Sequence, residues 1–243
     1  MGAPFSDITL YTPTPYAVGT LEYVEETSLK NFVSDLYVQK MNGYKPTNAT
    51  RVTLQPAYHN IWNRTWKNGS LFSIAPLFER EKYNALDKKG KYKYILDIIH
   101  WSMLQLSEEY KWDREVFEKA YEEVIDKNFS FIVEYTPKKS KDKKKDAKIV
   151  IEKSETITRV YSVMNNEGET IKAKLIDKKN WWWYDEAYKM AKHSKWFDND
   201  RFGIHIQSLN FAVWYSLTKN KVLFEVNGAV QEDYNLKRMF TQY

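Results

Sequence analysis

The chain has 243 residues, of which 43% are hydrophobic and 16% aromatic, a composition typical of a globular protein with a substantial core. It contains no cysteine, which excludes disulfides, thiolate metal sites and a cysteine nucleophile. The net charge of +5 equals that of one lysine-rich stretch, residues 138–148, so the rest of the chain is neutral and a wholly basic protein is excluded.

The first part of the chain predicts short strands around one helix. Alternating apolar residues predict strands over residues 8–10 and 51–55. Between them, apolar residues recur at helical spacing over residues 29–37, with Thr27 or Ser28 as the cap and Asn42-Gly43 as the end. Asn68-Gly69, flanked by apolar runs on both sides, predicts a hairpin.

Two helices are predicted in the middle of the chain. One apolar stripe runs over residues 92–106. The next helix starts after Asp113, a favourable N-cap, and Trp112 and Phe117 have the spacing of a hydrophobic staple. The short connection between the helices predicts an antiparallel helical hairpin.

The second half predicts mainly strands paired as hairpins. A long-tipped hairpin contains the lysine-rich stretch, a second turns near residues 165–168, and a third joins 204–217 to 222–226, with a helix over 180–194. We therefore expect an α+β fold, an antiparallel sheet built from hairpins and packed with three to four helices. The expected organisation is one globular domain, 1–243, or two closely packed halves, 1–127 and 128–243.

Two segments are candidate binding sites. The consecutive indoles of Trp181, Trp182 and Trp183 cannot all share one face of a helix or strand, so at least one is expected near the surface, available to stack on a partner or a base. The loop at 137–148 has nothing large and apolar to bury and is expected to be mobile. Its basic residues are Lys138, Lys139, Lys141, Lys143, Lys144, Lys145 and Lys148.

No catalytic or metal-binding residues are predicted. The four histidines, at positions 59, 100, 193 and 205, are scattered, and neither the Asp97/His100 nor the Glu186/His193 pair forms a known ligand motif. Nucleotide-binding glycine loops and the GxSxG motif are absent from the sequence. Asp198-Asn199-Asp200 is interpreted as a turn rather than a calcium loop. We expect no metal and no cofactor.

The leading hypothesis is a non-enzymatic protein that binds another protein, of the kind represented by inhibitors and immunity proteins. One alternative is a nucleic-acid-associated protein or nuclease that uses the lysine-rich loop and the tryptophans, with weak binding. The other is an enzyme acting on a small molecule. No apolar run has the length of a membrane span, so we expect a soluble, cytoplasmic protein, although a secreted mature form also fits the sequence. The sequence leaves the oligomeric state open.

Overall fold

A computed structural model describes residues 7–56, 64–166, 168–179 and 186–231. The chain divides into two compact units, Met1–Ser130 and Phe131–Tyr243, called unit 1 and unit 2 below. Both units combine helices with sheets, so the predicted α+β class is confirmed. The choice between one domain and two halves stays a prediction. No helix within the described ranges is long and apolar enough to cross a membrane.

Unit 1 is a four-stranded sheet with helices. Its elements are β1 (Asp7–Leu10), α1 (Leu21–Lys40), β2 (Arg51–Leu54), β3 (Thr65–Asn68), β4 (Leu71–Ile74), α2 (Arg80–Asn84), α3 (Lys88–Tyr110) and α4 (Arg114–Asp126). The strand order is β1-β2-β4-β3. β3 and β4 form the antiparallel hairpin expected at Asn68-Gly69. The β1–β2 and β2–β4 pairs are parallel, which the hairpin pattern did not predict. α1 provides the crossover that the first parallel pair requires.

Helix α1 begins earlier than the sequence analysis predicts. Thr20, rather than Thr27 or Ser28, is its N-cap, and the Thr20 hydroxyl accepts a hydrogen bond from the Tyr23 amide at 3.4 Å. The prediction was wrong because Leu21 and Val24 in the first two turns are exposed, so the buried periodicity starts later than the helix. The end agrees with the prediction, since Asn42 and Gly43 both have positive φ.

The core of unit 1 is formed largely by the predicted apolar helix faces. Helices α1, α3 and α4 contact one another, and the Trp112 and Phe117 rings lie 6.4 Å apart, as the predicted staple requires. Fully buried side chains come from all three helices and from the sheet: Val33, Leu36, Tyr37, Leu54, Ile74, Ile95, Leu96, Ile99, Met103, Leu106, Phe117 and Val124.

We expect Asp113→Ala to lower the free energy of unfolding by about 1 kcal/mol, because the Asp113 carboxylate accepts a hydrogen bond from the Glu115 amide at 3.1 Å. Chemical denaturation of the purified variant measures the loss. Asp126→Ala at the other end of α4 is the matched control and should cost nothing, because an acidic side chain there faces the negative end of the helix dipole. Equal losses in both variants would contradict the cap.

Unit 2 is built from two sheets and one described helix. Its elements are β5 (Phe131–Glu134), β6 (Lys138–Lys139), β7 (Asp146–Lys153), β8 (Ile157–Asn166), β9 (Glu169–Lys179), α5 (Glu186–Lys192), β10 (Ser194–Trp196), β11 (Arg201–Ile206), β12 (Phe211–Ser216), β13 (Lys221–Val226) and β14 (Ala229–Gln231). One sheet has the order β5-β7-β8-β9, with β6 also paired to β7, and the other has the order β10-β11-β12-β13-β14. Every pair in both sheets is antiparallel.

The two sheets of unit 2 enclose one apolar core. Strands β9 and β12 contact each other across it, and α5 contacts β7, β8 and β11. Ile151, Val160, Phe202 and Val213 are among its fully buried members. One prediction here was wrong: residues 204–217 are two strands, β11 and β12, separated by a short turn in which Asn210 has a positive φ.

The lysine-rich loop makes more contacts than the sequence analysis expects. Its first two lysines form β6, which pairs with the start of β7, and Ser140 is only 3% exposed. The backbone carbonyl of Lys138 accepts a hydrogen bond from the Trp196 indole at 2.8 Å, and the Asp142 amide donates to Asn199 Oδ1 at 3.0 Å. The loop is therefore a hairpin attached to strand β10 and the turn that follows it; its mobility stays a prediction.

These contacts make the response to shortening the hairpin testable. Replacing residues 138–146 with a short Gly/Ser turn should destabilise the protein by about 1 kcal/mol or more, because it leaves the buried Trp196 N–H without its acceptor and removes the β6–β7 pairing. The control changes only the exposed Lys141, Lys143 and Lys144 to Gln and should leave the thermal midpoint unchanged. An unchanged midpoint in the shortened variant would show that the hairpin contributes nothing to stability.

Candidate functional site

The candidate site is a groove in unit 1 with a volume of about 570 Å³. One wall is a face of α3, where Tyr94, Asp97, Ile98 and Trp101 follow one another at helical spacing. The other wall is the segment after β4 and the start of α2. It contributes four lining residues: Pro76, Leu77, Glu79 and Lys82. Local pattern could not have predicted the groove, because its two walls lie apart in sequence.

The Tyr94 side chain, on the α3 wall, contacts residues of the other wall. Its hydroxyl accepts a hydrogen bond from the Glu79 amide at 2.7 Å, and its ring contacts the Phe78 ring edge-on at 5.5 Å. Lys82 completes this rim by pairing with Glu79 at 3.2 Å. Because these polar groups bind one another, the surface left facing the groove is largely that of Leu77, Ile98 and Trp101.

Arg80 fixes the outer wall to the body of unit 1. Its Nη1 donates to Glu26 Oε2 at 2.6 Å, and its Nη2 donates to Glu26 Oε1 at 3.1 Å and to the carbonyl of Pro13 at 2.6 Å. The guanidinium also lies 4.8 Å from the Phe78 ring centroid. Such a bidentate ion pair fixes both the position and the orientation of the segment that carries Leu77 and Glu79.

The Arg80–Glu26 pair belongs to a buried cluster with Lys30 and Thr12. The Thr12 hydroxyl donates to Glu26 and accepts from Lys30 Nζ at 2.9 Å, and both charged residues are less than a tenth exposed. Burial alone would raise the pKa of Glu26, but hydrogen bonds from Arg80 and Thr12 outweigh it and hold that pKa below its usual value. Burial lowers the pKa of Lys30 to about 8, although the Glu26 charge opposes this.

The lowered pKa of Lys30 predicts a particular dependence of stability on pH. Above a pH of about 8 the folded protein releases the Lys30 proton, whereas the unfolded chain keeps it until a pH of about 10.4. Unfolding in that window therefore takes up a proton, so the contribution of Lys30 to stability rises with pH. The wild type should gain stability relative to Lys30→Met between about pH 7 and about pH 10.

Urea unfolding of both proteins at the two pH values measures this gain. Lys127→Met, which removes an exposed lysine after α4, is the control and should show no such trend. A difference between wild type and Lys30→Met that stays constant with pH would contradict a folded-state pKa near 8.

A polar network lies beside the groove, on the neighbouring face of α3. Asp97 accepts hydrogen bonds from Lys93 Nζ at 2.5 Å and from the Tyr121 hydroxyl at 2.8 Å. The His100 ring stacks on Tyr121 at 4.3 Å, and its Nδ1 lies 3.2 Å from the Tyr37 hydroxyl. Burial lowers the pKa of His100, which favours the neutral imidazole at neutral pH. Asp97 and His100 thus share Tyr121 as a neighbour but are not hydrogen-bonded to each other.

The other predicted site residues fall in different places. Trp181, Trp182 and Trp183 lie outside the described residues, as does His59. The turn after β10 is the predicted Asx-rich turn, since Asp198 Oδ1 accepts from the amides of Asp200 and Arg201, both at 2.8 Å. Within the described ranges, no group of three or more His, Asp or Glu side chains is placed to hold a metal ion.

The groove has the chemistry of a binding surface. Its lining includes no histidine or hydroxyl group other than Tyr94, and the Tyr94 hydroxyl is bound to the Glu79 amide. Its two carboxylates, on Glu79 and Asp97, each have a lysine partner. The arrangement therefore offers shape and apolar area rather than a nucleophile with an adjacent base.

No protein-family model, no curated protein and no solved structure matches this chain. Function is consequently inferred from the chemistry of the site rather than from a relative.

Proposed function

We propose that unit 1 binds another protein and that the groove accepts an apolar side chain of that partner. The observation that carries the proposal is Leu77, which is 57% exposed in a groove whose α3 wall includes Ile98 and the half-buried Trp101. Exposed apolar side chains that line a concave surface mark interaction sites, and tryptophan is among the residues that contribute most to interfaces.

The polar groups of the groove favour a protein ligand over a small molecule. Small-molecule sites orient their ligand with a few polar groups that point into the cavity. Here the hydroxyl of Tyr94 is bound to the Glu79 amide, and Lys82 is paired with the Glu79 carboxylate. What remains is the apolar surface of Leu77, Ile98 and Trp101 inside a rim of paired charges, which resembles the core and rim of a protein interface. The volume of about 570 Å³ also lies in the range of small-molecule sites, so the preference for a protein partner rests on the paired polar groups and not on size.

The exposed ion pairs at the rim of the groove contribute to the selectivity of partner binding rather than to its affinity. The side chains of Glu79 and Lys82 are about half exposed, as are those of Lys93 and Asp97. Exposed pairs contribute little to stability, so a partner can exchange them for its own charges at low cost. Mixed charges around an apolar centre predict a partner segment with an aromatic or aliphatic anchor between polar residues.

Selection from a displayed library of random peptides tests the proposal without a known partner. Peptides retained by the wild type should share one large aromatic or aliphatic residue and should bind Leu77→Asp at least about tenfold more weakly, which corresponds to about 1.4 kcal/mol. Trp101→Ala should weaken them similarly, with little change in the far-ultraviolet circular dichroism that reports the secondary structure. Leu209→Asp is the matched control, because it places the same charge on an exposed leucine of unit 2 and should change affinity by less than about twofold.

Two results would count against this function. One is a selection that yields no common apolar anchor. The other is a set of peptides whose affinity falls equally in Leu77→Asp and Leu209→Asp, since that would place the binding surface elsewhere. The part of the hypothesis that assigns an interface contact to Trp181, Trp182 or Trp183 is a separate prediction, which alanine substitution at each position would test with the same peptides.

A further inference from the structure

The basic hairpin of unit 2, residues 138–148, holds its lysines in two distinct roles. Four of them contact other groups of unit 2. Lys138 Nζ donates to the carbonyl of Ser194 and Lys145 Nζ to that of Asn199, while Lys139 and Lys148 pair with Asp146 and Glu134. The remaining three, Lys141, Lys143 and Lys144, are exposed at the tip, and no carboxylate of the described residues pairs with them.

The tip has a defined shape. Ser140 is buried, its amide donates to the carbonyl of Lys145 at 2.9 Å, and its hydroxyl accepts from the Lys145 amide at 3.0 Å. Lys143 occupies the left-handed region with φ of 62°. Asp142 is turned back onto the Ser140 hydroxyl and the Lys144 amide, and these hydrogen bonds lower its pKa. The ammonium groups of Lys141, Lys143 and Lys144 therefore lie on a turn whose backbone is fixed by hydrogen bonds, and not on an unstructured polylysine segment.

The positive charge of unit 2 is concentrated in the hairpin itself. Unit 2 contains 21 Lys and Arg against 15 Asp and Glu, and the hairpin supplies seven of these lysines and two of the aspartates, so the rest of unit 2 is nearly balanced. Strand β10 contacts β6, and on β10 the exposed Lys195 lies 2.6 Å from His205 Nδ1 with no carboxylate partner among the described residues. A basic patch fixed on a fold is the electrostatic feature that nucleic-acid binding requires.

We propose that the basic hairpin binds the phosphate backbone of duplex nucleic acid through the three free lysines of its tip. The turn that joins β6 to β7 carries four lysines among its six residues, and its one acidic side chain, Asp142, is bound to the Ser140 hydroxyl and the Lys144 amide. Lysines at such a tip contact phosphates as point charges, so the binding is independent of base sequence.

Two other anionic partners fit the hairpin less well. A membrane surface is usually held by apolar side chains that enter the headgroup region, and residues 140–145 contain none. An acidic protein partner would need an apolar or aromatic anchor for most of its binding energy, and the tip offers none. Phosphate neutralisation requires only the cations that are present here.

The number of free lysines sets the expected strength. Each phosphate neutralised on duplex DNA contributes about −0.9 to the slope of log affinity against log salt. Three tip lysines therefore predict a slope of about −3 or steeper and a dissociation constant of about 10⁻⁴ to 10⁻⁶ M at physiological salt, the range of non-specific binding. Tighter binding than this is not expected from the hairpin alone.

Fluorescence anisotropy of a labelled duplex of about 20 base pairs, between about 50 and about 200 mM KCl, tests the proposal. The variant Lys141→Gln/Lys143→Gln/Lys144→Gln should bind at least about tenfold more weakly at low salt, with a slope shallower by about 2 to 3. The control Lys45→Gln/Lys89→Gln/Lys127→Gln removes the same charge from exposed sites of unit 1 and should stay within about twofold of the wild type. Asp142→Asn, which removes the single acidic charge of the tip, should bind more tightly.

Each remaining outcome would overturn the proposal. Equal losses in the two triple variants would show a response to net charge alone. Tighter binding to the single strand than to the duplex would exclude the duplex as the preferred partner. Equal or tighter binding to vesicles containing phosphatidylserine would assign the hairpin to a membrane surface, and competition by polyglutamate at matched charge would assign it to an acidic protein. No saturable duplex binding at low salt would leave the tip without this role. None of these results depends on the peptide groove of unit 1.

Discussion

The buried ion pair between Arg80 and Glu26 is the constraint on which the candidate site of unit 1 depends. It joins two residues 54 positions apart, and it places the segment carrying Leu77 and Glu79 against helix α3. Removing Glu26 would leave both Arg80 and Lys30 without their shared carboxylate, and a buried charge left unpaired in this way costs about 3–5 kcal/mol. The position of the outer wall of the groove thus depends on an interaction that lies outside the groove.

The same cluster places two cations beside a single carboxylate, which is electrostatically unfavourable for one of them. Two cations, Arg80 and Lys30, share one carboxylate, and the burial that strengthens the Arg80–Glu26 pair also disfavours the charge on Lys30. Thr12 relieves part of this by bridging Lys30 and Glu26. Buried polar groups of this kind are costly unless each has a partner, which explains why four side chains from separate segments meet here.

The two units use charge differently. In unit 1 positive and negative residues nearly balance, and its groove is surrounded by paired charges, as expected for a surface that discriminates by shape. Unit 2 has an excess of cations, and the basic hairpin divides its lysines between internal contacts and solvent. A lysine bound to a backbone carbonyl braces the tip, whereas a free one adds to the field in front of it.

The sequence by itself determined what depends on neighbouring residues. The cap at Asp113, the staple of Trp112 and Phe117, the Asn68-Gly69 turn and the α+β class all follow from patterns within a few residues, and they were predicted. Only the tertiary structure decided the parallel strand pairs, the groove and the attachment of the lysine-rich hairpin to Trp196, 58 residues away from Lys138. The sequence predicted the positive charge of the hairpin, but it could not show which of its lysines contact other groups of unit 2 and which are exposed at the tip. These outcomes depend on hydrogen bonds and ion pairs between distant segments, and a local pattern of hydrophobicity carries no information about which distant polar group will meet which.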